Sequence, residues 1–314
     1  MAKRAFTFPG QGSQAVGMGK DLAAAFPQAQ AVFDEVDTAL GQKLSQIMFE
    51  GPDETLRLTA NAQPALMAVS MAVVRVLESK GIKVADKAAY VAGHSLGEYS
   101  ALCAAGVFSI ADAARLLRIR DEAMQQAVPV GQGAMAAILG LDLETVLRAV
   151  NDAEDGEVCG VANDNAPGQV VISGHAGAVN RAIELLKAAG AKRALPLAVS
   201  APFHSSLMKP AAERLRERLA TTPLEAPYIP LIDNIDVKSE SEPSSIRDAL
   251  YRQAFGAVRW VEVVHAIRKR GIDHIFECGP GRVLTGMVKR IEPEAVAAAV
   301  SDPTSLAQAA TLLQ

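Results

Sequence analysis

The sequence predicts an α/β fold in which helices cover a mainly parallel sheet. Short apolar runs alternate with amphipathic helical patterns along most of the 314 residues. One of these runs passes through a Gly-x-Ser-x-Gly turn directly into a new helical stretch, which is typical of a parallel sheet. Between residues 131 and 198 the order of elements changes, and this change predicts a smaller inserted subdomain.

The composition indicates a globular protein that binds no nucleic acid. Half of the residues are apolar and 21% are charged, which suffices for a large buried core. The formal net charge is −4, whereas nucleic-acid-binding proteins usually carry a basic excess. The sequence shows neither a signal-peptide pattern nor a run that approaches the ~18 apolar residues of a membrane span. Because the three cysteines also lack metal or disulfide spacing, we expect buried thiols in a soluble, cytoplasmic protein.

The predicted large domain consists of residues 1–130 and 199–314. Apolar runs of strand length and longer runs with helical periodicity define its first elements. These are a strand at 5–8, a helix at 14–25, a helix at 63–80, a buried strand at 87–93 and a helix that Ser109 caps and that runs to residue 127.

The predicted small subdomain consists of residues 131–198. Its expected elements are a strand at 134–139, a helix at 143–153, strands at 158–161 and 169–172, a helix at 178–189 and a strand at 192–199. The run 163–168 between the two middle strands is rich in turn residues and is predicted to be a connector. The order βαββαβ is that of a ferredoxin-like unit.

The Gly-x-Ser-x-Gly motif centres on Ser95, which the sequence places between a buried strand and a helix. A nucleophile on such a turn projects from the carboxyl end of the sheet, and Gly93 and Gly97 let the strand and helix pass closely. The backbone amide of Leu96, at the start of the helix, is then available to stabilise an oxyanion. A purely structural serine in a tight turn is the alternative interpretation.

A second oxyanion donor is predicted in the glycine-rich loop 9–13. The loop leaves the carboxyl end of the first strand, where open α/β sheets place their sites, and the amide of Gln11 is the best candidate. The loop is neither a phosphate-binding P-loop nor a dinucleotide fingerprint, because the required spacing is absent. A plain turn explains the same glycines nearly as well.

Five histidines compete to be the base that activates the serine. His94 adjoins Ser95 but is interpreted as a packed core residue, and His175, His265 and His274 lie at predicted strand ends or on an amphipathic helix. His204 follows the last strand of the small subdomain and lies in a loop near the junction, where catalytic groups concentrate. We favour His204, with a capping or turn histidine as the alternative. No carboxylate stands out as its partner.

Arg120 is predicted to be buried in the helix after Ser109. It falls in a stripe of apolar residues at i, i+3, i+4 spacing, which are Ala113, Leu116, Leu117 and Met124. A buried guanidinium without a partner costs several kcal/mol, so Arg120 should meet an anion. The anion is either an internal carboxylate in a structural ion pair or a substrate carboxylate held by the planar guanidinium.

Several motifs together resemble the malonyl-CoA–acyl carrier protein transacylases. They occur in the order of that family and span almost the whole chain, at residues 8–14, 93–102, 133–137, 167–172, 201–204 and 277–281. The resemblance implies a large α/β-hydrolase-like domain with a ferredoxin-like insertion. It also implies an enzyme that transfers malonyl from malonyl-CoA to the thiol of acyl carrier protein in fatty-acid synthesis.

The resemblance assigns the catalytic groups residue by residue. It implies Ser95 as the nucleophile, His204 as the base and the amides of Gln11 and Leu96 as oxyanion donors. It implies no metal and no cofactor besides the two substrates, and a monomer is expected.

The resemblance also assigns groups around the acyl chain and the base. It implies that Arg120 binds the malonyl carboxylate and that the backbone carbonyl of Gln253 orients His204, which accounts for the missing acid. Phe203 is similar to the bulky residue of malonyl-selective members. The sequence departs from the family at Gly256, where an asparagine is frequent, and this puts the local turn in doubt.

Other functions share parts of this pattern. A serine hydrolase such as a thioesterase has the same elbow and base but needs no arginine for a free carboxylate. A non-catalytic module that binds a carrier protein tolerates loss of Ser95. A malonate decarboxylase or a polyketide-synthase loading subunit resembles the same family.

Overall fold

A computed structural model describes residues 3–199 and 201–314. Residues 1, 2 and 200, which the predicted domain boundaries include, lie outside the described residues. The strands are β1 (Arg4–Phe8), β2 (Tyr90–Gly93), β3 (Gly133–Leu139), β4 (Cys159–Ala166), β5 (Gln169–His175), β6 (Arg193–Pro196), β7 (Leu231–Ile232), β8 (Ser239–Glu240), β9 (His274–Cys278) and β10 (Val296–Val300). The helices are α1 (Lys20–Ala25), α2 (Pro27–Leu40), α3 (Leu44–Glu50), α4 (Asp53–Arg57), α5 (Thr59–Ser79), α6 (Val84–Lys87), α7 (Gly97–Ala104), α8 (Ile110–Ala127), α9 (Leu143–Asp152), α10 (Ala176–Ala188), α11 (Lys209–Thr221), α12 (Pro243–Gln253), α13 (Trp260–Lys269), α14 (Val283–Ile291) and α15 (Pro303–Leu313).

The larger sheet has six strands in the order β10-β9-β1-β2-β7-β8. All neighbouring pairs are parallel except β7 and β8, so the predicted mainly parallel sheet is confirmed. The ends of β1 and β2 are in register, with Phe8 opposite Gly93. Because both strands run in the same direction, the loop after β1 and the turn after β2 emerge side by side at the carboxyl edge.

Helices cover this sheet on both faces. The side chains of Phe6 and Phe8 pack on one face into a core with α2, α5, α7, α8 and α11. On the other face, Ala5 and Ile275 pack against α13 and α14, and the fully buried Trp260 belongs to that core. Alternate residues of a strand point to opposite faces, so both faces of the central strands are apolar, as expected for a parallel sheet.

The smaller sheet has four strands in the order β4-β5-β3-β6, and all of its pairs are antiparallel. Helices α9 and α10 pack on one face and form a separate apolar core. On the opposite face, Met135 and Val171 join the core of the large sheet. A second, antiparallel sheet is therefore present, and one face of it is turned toward the larger sheet.

The prediction of a connector at residues 163–168 is wrong for residues 163–166, which belong to β4. The polar residues of this stretch continue β4 as far as Ala166, and only Pro167 and Gly168 turn the chain. The strand extends because its outer edge also pairs with the segment just before α13. The amide of Asp164 donates to the carbonyl of Val258 at 3.0 Å, and the amide of Val258 donates to the carbonyl of Ala162 at 2.8 Å.

The predicted helix at 14–25 begins only at Lys20. Gly17 and Gly19 have positive φ angles of 96° and 80°, which a right-handed helix does not accommodate. The predicted helix at 63–80 is present as α5 and begins four residues earlier, at Thr59.

Within the described residues, one helix is long and apolar enough to cross a membrane. It is the stretch Ala60–Ser79 of α5, which corrects the expectation that no run approaches that length and composition. This stretch is 89% buried inside the protein. The stretch is therefore a core helix whose apolar side chains pack inside the protein. The three cysteines are buried and free, as predicted.

Candidate active site

A cleft of about 500 Å³ lies between the two sheets. The segments around the larger sheet contribute Ser95, Arg120 and His204 to its walls, and the smaller sheet contributes Met135 and Val171. The predicted nucleophile, base and cation, which are far apart in the sequence, therefore line one cleft. Its mixed polar and apolar walls suit a small ligand with a charged end.

Ser95 lies on a sharp turn between β2 and α7. Its φ angle of 53° is in the left-handed region, which is uncommon for a residue other than glycine. A Cβ atom added at Gly93 would lie 1.9 Å from the carbonyl carbon of Gly97, and one added at Gly97 would lie 2.1 Å from the carbonyl oxygen of Phe8. The predicted strand–turn–helix is present, and its glycines are needed because backbone segments touch there.

His204 is hydrogen-bonded to Ser95, with 2.7 Å between Nε2 and Oγ. Its other ring nitrogen, Nδ1, lies 3.0 Å from the carbonyl oxygens of both Gln253 and Gly256. Carbonyl oxygens only accept hydrogen bonds, so Nδ1 carries the proton and Nε2 is free to accept one from Ser95. The sequence-based expectation named the Gln253 carbonyl, and the structure adds that of Gly256, where the sequence departs from the family.

The electrostatic surroundings keep His204 neutral. Burial, followed by the positive charge of Arg120 and by His94, lowers the pKa of His204 to about 3. An uncharged imidazole can take up a proton, so at neutral pH this histidine is in the form that a general base needs. Like Ser95, it has left-handed backbone, with a φ angle of 56°.

Arg120 is only 2% exposed and projects toward Ser95. Nη2 donates hydrogen bonds to the Oγ of Ser95 and to Oε1 of Gln253, both at 3.1 Å, and Nη1 donates to Oε1 of Gln63 at 2.7 Å. Among the residues that the structure describes, no carboxylate forms a salt bridge with Arg120. Within these residues, the structure therefore does not contain the alternative, a direct ion pair between Arg120 and an internal carboxylate.

Gln11 and Leu96 both adjoin the serine turn. Gln11 lies in the loop after β1 and lines the same cleft as Ser95. This loop packs closely against the serine turn. A Cβ atom added at Gly10 would lie only 2.5 Å from the carbonyl oxygen of His94. Leu96 is the N-cap residue of α7. Their roles as oxyanion donors stay predictions.

His94 is held away from Ser95 by its own contacts. Its Nε2 is 2.7 Å from Oδ1 of Asn165, and its ring lies 5.6 Å from that of Trp260. These contacts fit the interpretation of His94 as a packed residue. His175, at the end of β5, accepts a hydrogen bond from the amide of Val158.

Sequence reasoning missed the residues that brace the serine turn. Oδ1 of Asn234 accepts from the amide of Ser95 at 2.9 Å, while its Nδ2 donates to the carbonyl of Gly93 at 2.7 Å. The buried carboxyl of Glu98 accepts, at Oε2, from the amide of Asn234 and from Nε2 of Gln253. Nε2 of Gln253 also donates to the carbonyl of Ser95 at 3.0 Å. The signal available was the position of Asn234 just after β7, at the edge where the site lies.

The match to known proteins covers almost the whole chain. Residues 5–305 match the family described as acyl transferase domain. The chain is 49% identical over 312 residues to the malonyl CoA-acyl carrier protein transacylase of Escherichia coli, covering 99% of this chain and 100% of that protein.

Two solved structures have the same fold. One is an acyl-carrier-protein-S-malonyltransferase from Bartonella henselae, with 53% identity, a TM-score of 0.97 and 99% of each chain covered. The other is a malonyl-transacylase in complex with a type II polyketide-synthase acyl-carrier protein, with 48% identity, a TM-score of 0.96 and coverage of 99% of this chain and 100% of that one. With the serine turn, the paired histidine and these matches in place, the chain belongs to the acyl transferase domain family.

Proposed function

We propose that the protein transfers the malonyl group of malonyl-CoA to the phosphopantetheine thiol of acyl carrier protein and so supplies fatty-acid elongation. The observation that carries this proposal is the position of Arg120, a buried cation that forms no salt bridge with a carboxylate of the described residues and lies 3.1 Å from the Oγ of Ser95. An acyl group with a free carboxylate fits that position. The names of the relatives, which act on malonyl-CoA and acyl carrier protein, agree with it.

The first half of the reaction loads the serine. Nε2 of His204 takes the proton of the Ser95 hydroxyl as Oγ attacks the thioester carbonyl. The amides of Gln11 and Leu96 stabilise the oxyanion that forms. When the carbon–sulfur bond breaks, the proton on His204 passes to the coenzyme A sulfur, and a malonyl-Ser95 ester remains.

The second half reverses these steps with a different thiol. The phosphopantetheine thiol of the carrier protein gives its proton to His204 and attacks the malonyl ester. The bond between the acyl carbon and Oγ of Ser95 breaks, and Oγ recovers the proton from His204. The backbone carbonyls of Gln253 and Gly256 hold the imidazole in one tautomer throughout.

Arg120 supplies selectivity for malonyl over acetyl. Its planar guanidinium suits bidentate binding of a carboxylate, and an acetyl group leaves it unpaired. Phe203, which lines the cleft next to His204, limits the space for a branched acyl group.

The arrangement of elements supports a finer description of the fold. We assign residues 1–130 and 199–314 to an α/β-hydrolase-like catalytic domain and residues 131–198 to a ferredoxin-like subdomain. The strand order β4-β5-β3-β6 and the two helices on one face support the second assignment. We further propose a cytoplasmic monomer that needs no metal or cofactor.

A transfer assay tests the proposal. Malonyl-CoA is incubated with the protein and holo acyl carrier protein, and malonyl carrier protein and free malonate are measured together. The proposal predicts carrier loading that exceeds hydrolysis and depends on the carrier concentration. Malonate release without carrier loading would identify a thioesterase instead.

A further inference from the structure

Arg120 contacts two glutamines, and each glutamine is backed by a buried carboxyl group. On one side, Nη1 of Arg120 donates to Oε1 of Gln63 at 2.7 Å, and Nε2 of Gln63 donates to Oδ1 of Asp121 at 2.9 Å. The side chains of Gln63 and Asp121 are 1% and 0% exposed. The amide of Gln63 therefore separates the guanidinium from the carboxyl group.

The other side repeats the same order of groups. Nη2 of Arg120 donates to Oε1 of Gln253 at 3.1 Å, and Nε2 of Gln253 donates to Oε2 of Glu98 at 3.0 Å. Both Gln253 and Glu98 are fully buried. In each arm the cation comes first, a neutral amide second and a carboxyl group third.

This order resolves two opposing requirements on a buried cation. Without any nearby negative charge, a buried guanidinium is costly. With a carboxylate in direct contact, it forms a strong charge-assisted pair that an incoming carboxylate has to displace. An amide oxygen is a weaker partner, because it carries no net charge. Burial also raises the pKa of Asp121 and of Glu98 to about 8, which reduces their negative charge at neutral pH and their competition for Arg120.

We propose that Gln63 and Asp121 are specificity-determining positioning residues, because their order keeps Arg120 available to the carboxylate of the acyl group. Gln63 acts as a neutral spacer between Arg120 and Asp121. By accepting from Nε2 of Gln63, Asp121 orients the amide of Gln63 so that Oε1 faces the guanidinium. The inference rests on the proposed malonyl transfer and adds residues that act through Arg120.

The test exchanges the two groups without removing either. In the double variant Gln63→Glu/Asp121→Asn, the introduced carboxylate accepts from Arg120 and the introduced amide donates to that carboxylate. The hydrogen-bond partners, the side-chain volumes and the number of carboxyl groups are retained, and the carboxyl group moves from the far side of the amide to a position next to Arg120. The KM for malonyl-CoA is expected to rise at least about tenfold with a smaller change in kcat. The ratio of malonyl to acetyl loading of Ser95 should fall by a similar factor.

A matched control makes the same chemical change elsewhere. Oε1 of Gln126, near the end of α8, accepts from Nη1 of Arg214 at 2.6 Å on the surface. Gln126→Glu likewise turns an arginine–amide pair into an ion pair, and the malonyl to acetyl ratio should stay within about twofold of the wild type.

The outcomes separate this inference from the proposed function. A wild-type protein that forms no malonyl-Ser95 would overturn the function itself. If the wild type is loaded and the folded double variant keeps its malonyl preference within about twofold, the inference is wrong. Should the double variant not fold, the single variant Gln63→Glu answers the same question, since it also places a carboxylate on Arg120.

Discussion

The guanidinium of Arg120 donates a hydrogen bond from Nη2 to the Oγ of Ser95 at 3.1 Å. The group proposed to recognise the acyl carboxylate is thus in contact with the proposed nucleophile. After burial, the charge of Arg120 is also the largest cause that lowers the pKa of His204. Binding of a substrate carboxylate would offset that charge, so recognition and reactivity are coupled at this residue.

Arg120→Ala is expected to lower kcat/KM for malonyl-CoA by about ten- to a hundredfold and to remove the preference over acetyl-CoA. The reason is the loss of charge-assisted hydrogen bonds worth ~1.5–3 kcal/mol. Both acyl-CoAs are compared in the loading reaction. Arg115→Ala, which breaks an exposed pair with Asp112 on the same helix, is the control. An unchanged preference for malonyl-CoA over acetyl-CoA would show that Arg120 has a structural role instead.

The pH dependence of loading is expected to show no acidic limb near the ordinary pKa of histidine. The pKa of His204 in the free protein is about 3, and kcat/KM reports groups of the free enzyme. His204 therefore stays neutral, and kcat/KM for malonyl-CoA should be flat between about pH 5 and 7. A stopped-flow assay of coenzyme A release measures it. A midpoint between pH 6 and 7 would show that His204 titrates normally.

Asp121→Asn is expected to flatten the pH dependence of stability. Burial raises the pKa of Asp121 from 3.8 to about 8 in the folded protein. Between these values the folded state keeps a proton that the unfolded state releases, so the free energy of unfolding falls as pH rises, by up to ~1.4 kcal/mol per pH unit. Urea unfolding at pH 5, 6.5 and 8 tests this, with the exposed Asp152→Asn as control. A difference between wild type and Asp121→Asn that is independent of pH would contradict the prediction.

Gly93→Ala is expected to disrupt the serine turn. The new Cβ atom would lie 1.9 Å from the carbonyl carbon of Gly97 and 2.2 Å from the amide nitrogen of Glu98, so the backbone has to move. Such overpacking costs ~1–3 kcal/mol or more, and labelling of Ser95 by a fluorophosphonate should be lost with it. Gly286→Ala is the control, because Gly286 is exposed on α14 and an added Cβ atom would meet no atom within 4 Å beyond its chain neighbours and its own helix backbone. This substitution should stabilise the folded protein by ~0.5–1 kcal/mol. Wild-type stability and labelling in Gly93→Ala would rule out this account of the turn.

The parts of the site that local patterns encode could be predicted from the sequence. The glycines around Ser95 identify the turn, and the apolar stripe of α8 correctly places Arg120 on the buried face. The family resemblance led to the carbonyl of Gln253, which the structure places 3.0 Å from His204. The serine turn and the burial of Arg120 each have a signal within a few neighbouring residues, whereas the Gln253 carbonyl was implied by the family resemblance alone.

The missed features depend on contacts between distant segments. Gln63 lies in an apolar helix and reaches Asp121, 58 positions away, so nothing near it in the sequence indicates a polar partner. Asn234 braces a turn 139 positions earlier. The polar stretch of β4 looks like a loop because its pairing with Val258 is a tertiary contact.

The most direct test of the account is the site of covalent loading. The protein is mixed with malonyl-CoA in the absence of carrier protein, and peptide mass spectrometry locates any added acyl group. The account predicts one malonyl group on Ser95, which is absent in Ser95→Ala and is discharged when holo acyl carrier protein is added. Transfer to the carrier with no malonyl group on Ser95 would contradict it.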